Sequence, residues 1–266
     1  MPDIKLSRIT AVALLMACLL TQAVSAQDMQ AKGLEIAKAA KAYDKGFTDF
    51  TADMTMTLKN KSGDTSTRII RIRTLEVEGD GDKSLSIFDE PADVKGTAML
   101  TYSHGLEPDD QWLYLPALKR VKRINAKTRS GPFMGSEFAY EDLSSFEVEK
   151  YRYRHLGDEL IDGVDCYVLE SVPVDQYSGY SRRVSWIDKQ DYKVLKVDFY
   201  DRREGLRKTL RVSGYQLYLD RYWRAEHFAM INHETGKSTD MFWSDYRFGT
   251  GLGDPDFDKS ALKRAR

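Results

Sequence analysis

The sequence predicts a mainly β protein: a strongly curved antiparallel sheet with one N-terminal helix and a long covering loop. Three observations predict it. Apolar and polar residues alternate with a period of two in about a dozen short segments bounded by turn residues. One amphipathic stretch precedes them, and one aperiodic, glycine-bounded apolar segment interrupts them. Open sheets of that width rarely stay flat, so sequential up-and-down strands should curl into one barrel or half-barrel.

Residues 1–26 read as a bacterial export signal. Lys5 and Arg8 form the positive region, Ile9 to Leu20 the apolar run, and Val24-Ser25-Ala26 a small-residue cleavage site before Gln27. The run is too short to span a bilayer. A competing reading takes Leu15-Met16-Ala17-Cys18 as a lipoprotein signal with Cys18 acylated, although Met16 fits that site poorly and Leu19-Leu20 extend the apolar run beyond it. On the first reading, residues 27–266 form a single exported domain, soluble in the periplasm and monomeric. Its one cysteine, Cys166, cannot close an internal disulfide and falls in the apolar run Val164–Val172 as a core thiol.

Met29 to Tyr43 reads as a helix, with Leu34, Ile36, Ala37, Ala40 and Tyr43 on one side and Lys32, Glu35, Lys38 and Lys41 on others; Gly46 ends it. From there the period switches to two. Phe50, Ala52, Met54, Met56 and Leu58 alternate with threonines and Asp53, Asn60–Asp64 turns the chain, and Thr67–Val77 returns with Ile70 and Ile72 against Arg71 and Arg73. Further strands are expected at Ser84–Phe88, Ala98–Ser103, Gln111–Leu115 and Lys119–Ile124. After the aperiodic loop come Phe146–Arg154, Val164–Val172, Arg182–Ile187, Lys193–Tyr200, Leu206–Tyr215, Tyr222–Asn232 and Ser238–Tyr246. Gly249 to Gly253 reads as a flexible exit from the sheet ahead of a charged tail. No composition break divides the chain and no internal repeat is visible.

Composition and motifs exclude several function classes. Lys and Arg number 40 against 41 Asp and Glu, a net charge of −1, so there is no global field for nucleic acid. His104, His155, His227 and His233 show no metal-ligand spacing, and the chain holds no Gly-x-Ser-x-Gly elbow, phosphate-cradling glycine loop or Cys-x-x-Cys pair. The acid pairs Asp109-Asp110 and Glu141-Asp142 are adjacent, and strand neighbours point to opposite faces, so they do not converge on one substrate. The reading is a protein with no catalytic residues, no metal and no cofactor.

The block from Trp112 to Leu143 is the most informative. Trp112 and Tyr114 lie on one strand, and Lys119, Arg120, Lys122 and Arg123 stud the next. The loop that follows holds Phe133, Met134, Phe138 and Tyr140 among Gly131, Pro132 and Gly135. This block resembles the signature of the LolA-like outer-membrane lipoprotein-sorting family, and the resemblance extends from about residue 31 to the C-terminus. It implies a LolA/LolB-like half-barrel of about 11–12 strands whose apolar interior holds acyl chains. It also implies a periplasmic carrier or acceptor of lipoprotein acyl chains or another lipid, working beside an RND/MMPL-type transporter.

Residue patterning supplies the candidate sites. Met54, Met56, Ile70, Ile72, Leu85, Ile87, Ala98 and Leu100 are expected to line one concave face, since a period of two commits a strand to one face. The ordinary reading of Met54 and Met56 is core; a wide curled sheet encloses room for cargo, which flexible methionines suit, and that shifts the reading toward ligand contact. Trp112 and Tyr114 either face the cargo or anchor the sheet against the helix. Phe133, Met134, Phe138 and Tyr140 form the inner side of a lid at 126–145, shared with the N-terminal helix. No motif places the residue that anchors this lid. Lys119, Arg120, Lys122 and Arg123 put charge on both faces of one strand, which suits a sheet edge. That edge is either a solvated face or a docking surface for an acidic transporter patch or lipid headgroups. The alternative function is a periplasmic adaptor that binds the transporter protein through this edge and carries no lipid.

Overall fold

The computed structural model describes residues 26–264; the expected export signal at 1–26, Cys18 included, lies outside the described residues apart from Ala26. Helix α1 runs through residues 26–43. Its Ile36 and Ala37 are buried against Val148, Tyr153, Leu169 and Ile187, the apolar stripe that the period of 3.6 selects. Gly33 makes that seating possible. A side chain there would meet the backbone of Arg154 at 2.8 Å, so the helix lies directly on a strand.

Thirteen strands follow: β1 (Asp49–Lys59), β2 (Thr65–Leu75), β3 (Lys83–Glu90), β4 (Ala98–Tyr102), β5 (Asp110–Leu115), β6 (Arg120–Ile124), β7 (Tyr151–Ile161), β8 (Val164–Pro173), β9 (Tyr180–Asp188), β10 (Val194–Asp201), β11 (Leu206–Tyr218), β12 (Tyr222–Asn232) and β13 (Ser238–Phe248). They form one sheet in the order β6-β5-β4-β3-β2-β1-β13-β12-β11-β10-β9-β8-β7. Each strand pairs antiparallel with its chain neighbour, as up-and-down order requires, with one exception. The first and last strands pair, Met54 opposite Trp243 and Met56 opposite Met241, so the sheet is open between β6 and β7. Residues 125–150 bridge that opening. The strand expected from Phe146 begins only at Tyr151, because Val148–Lys150 is still a 3₁₀ turn of the bridging segment.

Register decides which side chains share a face. Ile70 and Ile72 sit opposite Phe88 and Ser86, whereas Arg71 and Arg73 sit opposite Ile87 and Leu85. Leu85 and Ile87 in turn oppose Leu100 and Ala98, which oppose Trp112 and Tyr114. The sheet therefore carries two apolar faces in its first half. On the concave face Met54, Met56, Ile70, Ile72, Phe88, Met99 and Leu113 form the main core with residues of β10 to β13. On the convex face Leu85, Ile87, Ala98, Leu100 and Trp112 pack against Phe257, Ala261 and Leu262, with Tyr114 at the margin.

The expectation of one continuous concave face thus fails for half its members: Leu85, Ile87, Ala98 and Leu100 point the other way. So do Trp112 and Tyr114. The covering is the C-terminal segment, a 3₁₀ turn at Asp254–Phe257 and helix α2 (Lys259–Arg264), which is no loose exit. The Tyr102 hydroxyl donates to the Phe257 carbonyl, and the Lys259 ammonium stands 4.5 Å over the Trp112 ring. Cys166 is fully buried on the same convex side, with Val168, Val184 and Trp186.

Candidate functional site: a roofed apolar cavity

The segment 125–150 closes over the concave face as a lid built from short 3₁₀ turns. Pro132 and Ala139 bridge across its tip. Met134 and Gly135 take left-handed backbone, φ 48° and 83°, which reverses the chain there. That reversal drives Phe133 and Phe138 inward, 1% and 5% exposed, while Met134 and Tyr140 pack more shallowly on the same core. Phe133 meets the Phe88 and Tyr140 rings at 5.7 Å each. Over β1 to β5 the lid therefore fills the concave face, and Met54, Met56, Ile70, Ile72 and Phe133 are core beneath it.

The lid is tied to the sheet by polar contacts from both halves. On the far side, the Lys208 ammonium of β11 donates to the Glu137 carbonyl at 2.7 Å and to the Tyr180 hydroxyl at 3.3 Å. Asn232 of β12 donates to the Glu137 carboxylate at 2.6 Å. The Glu137 amide donates to the Thr239 hydroxyl of β13 at 3.0 Å. Tyr180 donates to Asp142 at 2.9 Å, and the Gly179 amide to Glu141 at 2.8 Å. On the near side, Gln111 of β5 donates to the Tyr140 carbonyl at 2.9 Å. At the root of the lid, buried Arg129 pairs with Asp175 at 2.6 Å and with Asp109 at 3.5 Å.

Burial sets the electrostatics of this seam. It pushes the Lys208 ammonium below the ordinary lysine value and the Tyr180 phenol far above its own. It also raises the Glu141 carboxyl. Sequence reasoning missed Lys208, Asn232, Thr239 and Tyr180 as lid anchors. Lys208, Asn232 and Thr239 sit at alternating strand positions like any other polar residue, and only the cross-sheet geometry brings them under Glu137.

Beyond the lid's edge, the second half of the concave face is not filled. A cavity of about 580 Å³ lies among α1, the lid and β8 to β12. Its apolar walls are Ala37 and Ala40 on α1, Phe47 and Phe50 where the chain enters β1, Phe138 and Phe146 on the lid, and Leu169, Val194, Val197, Phe199, Leu210, Tyr215, Phe228 and Met230 on the sheet. Of the residues the sequence singled out for ligand contact, Phe138 alone lines this cavity. Ion pairs seat the helix over it: Lys41 to Glu147 at 2.9 Å and Asp44 to Arg224 at 2.6 Å.

The basic strand β6 is an edge of the sheet, as its charge on both faces predicts. Lys119, Arg120, Lys122 and Arg123 are all exposed beside the root of the lid. Lys119 precedes the strand in a left-handed turn, φ 49°, and Arg123 pairs with Asp110. Among the described residues no group of three His, Cys, Asp or Glu is arranged to hold a metal ion, and no helix is long and apolar enough to cross a membrane.

An open, curved antiparallel sheet roofed by a helix and a loop over an apolar hollow is the half-barrel architecture that the resemblance in the Trp112–Leu143 block implies. Comparison with known proteins places the chain within it. A protein family described as an uncharacterized protein matches residues 80–264. A crystal structure from Vibrio parahaemolyticus, described as an outer membrane lipoprotein-sorting protein domain, is 60% identical, covering 88% of this chain and 100% of its own, with a TM-score of 0.87. A DUF1329 family protein from Desulfovibrio piger is 32% identical over 88% of this chain and 99% of its own, with a TM-score of 0.84. A LolA superfamily protein from Nitrosomonas europaea shares the fold at 21% identity and a TM-score of 0.67, over 89% and 98%. A search of curated proteins gave no match. The chain belongs to the LolA-like outer membrane lipoprotein-sorting family.

Proposed function

We propose that this protein is a periplasmic carrier or acceptor that takes a hydrophobic cargo, lipoprotein acyl chains or another lipid, into the cavity between α1, the lid and β8 to β12. The observation that carries the reading is that cavity. At about 580 Å³ it is of the size of small-molecule sites, and its lining is mostly aromatic and aliphatic. Alkyl burial contributes about 0.8 kcal/mol per CH₂, so one long acyl chain supplies roughly 10 kcal/mol before ordering costs. That is enough for capture and leaves release within reach of a partner. Binding is non-covalent and needs no cofactor or catalytic residue. The kinship with a lipoprotein-sorting domain supports a periplasmic location and agrees with the export signal read at 1–26.

The exposed basic edge β6 supports a docking role at the donor or acceptor, with an RND/MMPL-type transporter as the partner. The same edge favours the second reading, an adaptor that engages transporter protein and carries no lipid. Native mass spectrometry of the protein purified from its own periplasm separates the two. A co-purifying lipid mass is expected. A chain of bare protein mass that also takes up no fluorescent fatty-acid probe would leave the adaptor reading.

A further inference from the structure

Resting on that reading, we infer that the cargo is an acidic amphiphile and that Arg183 is the side chain that recognises its anionic head. Five cationic side chains line the cavity: Lys41, Arg183, Lys193, Arg221 and Arg224. Four have acceptors. Lys41 holds Glu147 at 2.9 Å and Lys193 holds Asp191 at 2.8 Å. Arg221 donates to the Lys45 carbonyl at 2.9 Å, and Arg224 holds Asp44 at 2.6 Å. Arg183 differs. Among the described residues no acceptor lies within hydrogen-bond reach of its guanidinium, which stands 4.2 Å over the Tyr151 ring.

Its place is set by register. Arg183 of β9 lies opposite Phe199 of β10 and Ser171 of β8, so it projects on the concave side among cavity-lining residues. An arginine in such surroundings keeps its charge and presents a planar fork of N–H donors. The acids nearest it belong to the lid and lie beyond hydrogen-bond reach of it: Asp142 uses one carboxylate oxygen for the Tyr180 hydroxyl and the Ala139 amide, at 2.9 and 2.7 Å, and keeps the other buried without a partner, while Glu141 accepts from the Gly179 amide. A carboxylate or phosphate at the end of an alkyl chain supplies what the guanidinium lacks. The apolar walls at Phe138, Val197, Phe199 and Leu210 take the chain. Charge-assisted bonds to a planar donor fork are the strong ones, and they also give a direction to an otherwise featureless apolar site.

The test is displacement of a neutral fluorescent acyl probe by three ligands of equal chain length: palmitic acid, palmityl alcohol and monopalmitoyl glycerophosphate. Wild-type protein is expected to bind at least one of the two acids about tenfold or more tighter than the alcohol. The acid with the larger advantage tells a fatty carboxylate from a phosphate headgroup. Arg183→Gln is expected to bind the alcohol within about twofold of wild type while the acid advantage falls below about threefold; Arg183→Lys, which keeps a charge, retains part of it. Unchanged alcohol binding also shows that the variant folds. Equal affinity of wild type for acid and alcohol overturns the assignment and leaves the carrier reading intact. An equal loss for all three ligands in Arg183→Gln also overturns it, since Arg183 would then serve to seat the lid. If wild type binds none of the three, the carrier reading and this inference fall together.

Discussion

At the scale of single residues, Asp82 shows what the roof costs. It sits at the junction of sheet, helix and lid: its amide donates to the Ser145 hydroxyl at 3.3 Å, and its carboxylate accepts from the Val77 amide at 3.4 Å. Burial pushes its pKa up to about 6 from an ordinary 3.8, against the opposing pull of Lys41. The sign follows from linkage. A carboxyl that holds its proton more tightly folded than unfolded favours folding below about pH 4, and that contribution is lost as pH rises through about 6. Asp82→Asn should therefore flatten the fall in stability between these pH values. It should also raise stability at pH 7 by on the order of 1 kcal/mol, discounted for partial exposure. Chemical denaturation of both proteins at pH 4 and pH 7 measures it, and an equal stability difference at the two pH values would contradict it. No local pattern around Asp82 announces this. An aspartate in a turn reads as solvated, and it is the lid, arriving from more than 60 residues later in the chain, that buries it.

At the scale of elements, the lid was legible as a segment and illegible as a mechanism. Gly131, Pro132 and Gly135 around Phe133 and Phe138 predict an apolar loop that covers something, and the loop does cover the concave face. The residues that hold it down come from β5, β9, β11, β12 and β13. Lys208 is the pivotal one, buried with its ammonium on the Glu137 carbonyl. Lys208→Met keeps the apolar stem and removes the donor, leaving a buried carbonyl with one partner fewer, a loss of about 1–3 kcal/mol. The expected outcome is faster proteolysis within 129–145 with the strands still protected. If cleavage there proceeds at the wild-type rate, Lys208 is not an anchor. Gly179 has a related role: a side chain at that position would come within 2.8 Å of Ser130 of the lid, so the β8–β9 connection and the lid meet only because it is a glycine.

At the scale of the whole molecule, the opening in the sheet organises function. Because β1 pairs with β13, the two free edges are β6 and β7, and the lid necessarily spans from one to the other. The basic edge thus stands beside the root of the lid, where a docked partner would also touch the lid. Reversing Arg120 and Arg123 to Glu should weaken binding to vesicles rich in anionic lipid on the order of tenfold or more at low salt, since each basic residue near such a surface is worth about 1 kcal/mol. The difference should shrink as the screening length falls to about 8 Å at physiological ionic strength. Affinity for an acyl probe should stay the same, because β6 is remote from the cavity walls. Sedimentation of protein with vesicles across a salt series reads this out, and parent and variant sedimenting alike would mark the run as a merely solvated edge.

Local sequence specifies the strands, their up-and-down order, the N-terminal helix, the presence of the lid and the edge position of the basic strand, but not where the lid ends, since Val148–Lys150 still belongs to it. Each of these is written in a local period, a turn residue or a run of charge, within reach of a window of ten or twenty residues. It also carried the family, through the block at Trp112–Leu143. Which face each apolar residue serves depends instead on how the lid and the C-terminal segment pack on the sheet. In β3 to β5 both faces are buried, by the lid on one side and by Phe257, Ala261 and Leu262 on the other. Alternation then separates the two sets without saying which is inside, and so Leu85, Ile87, Leu100, Trp112 and Tyr114 point away from the hollow. The site was hidden for the same reason. A cavity is the space left where a lid stops, and an unpaired arginine is defined by acceptors that do not reach it; both are relations between residues far apart in the chain, which no local period encodes.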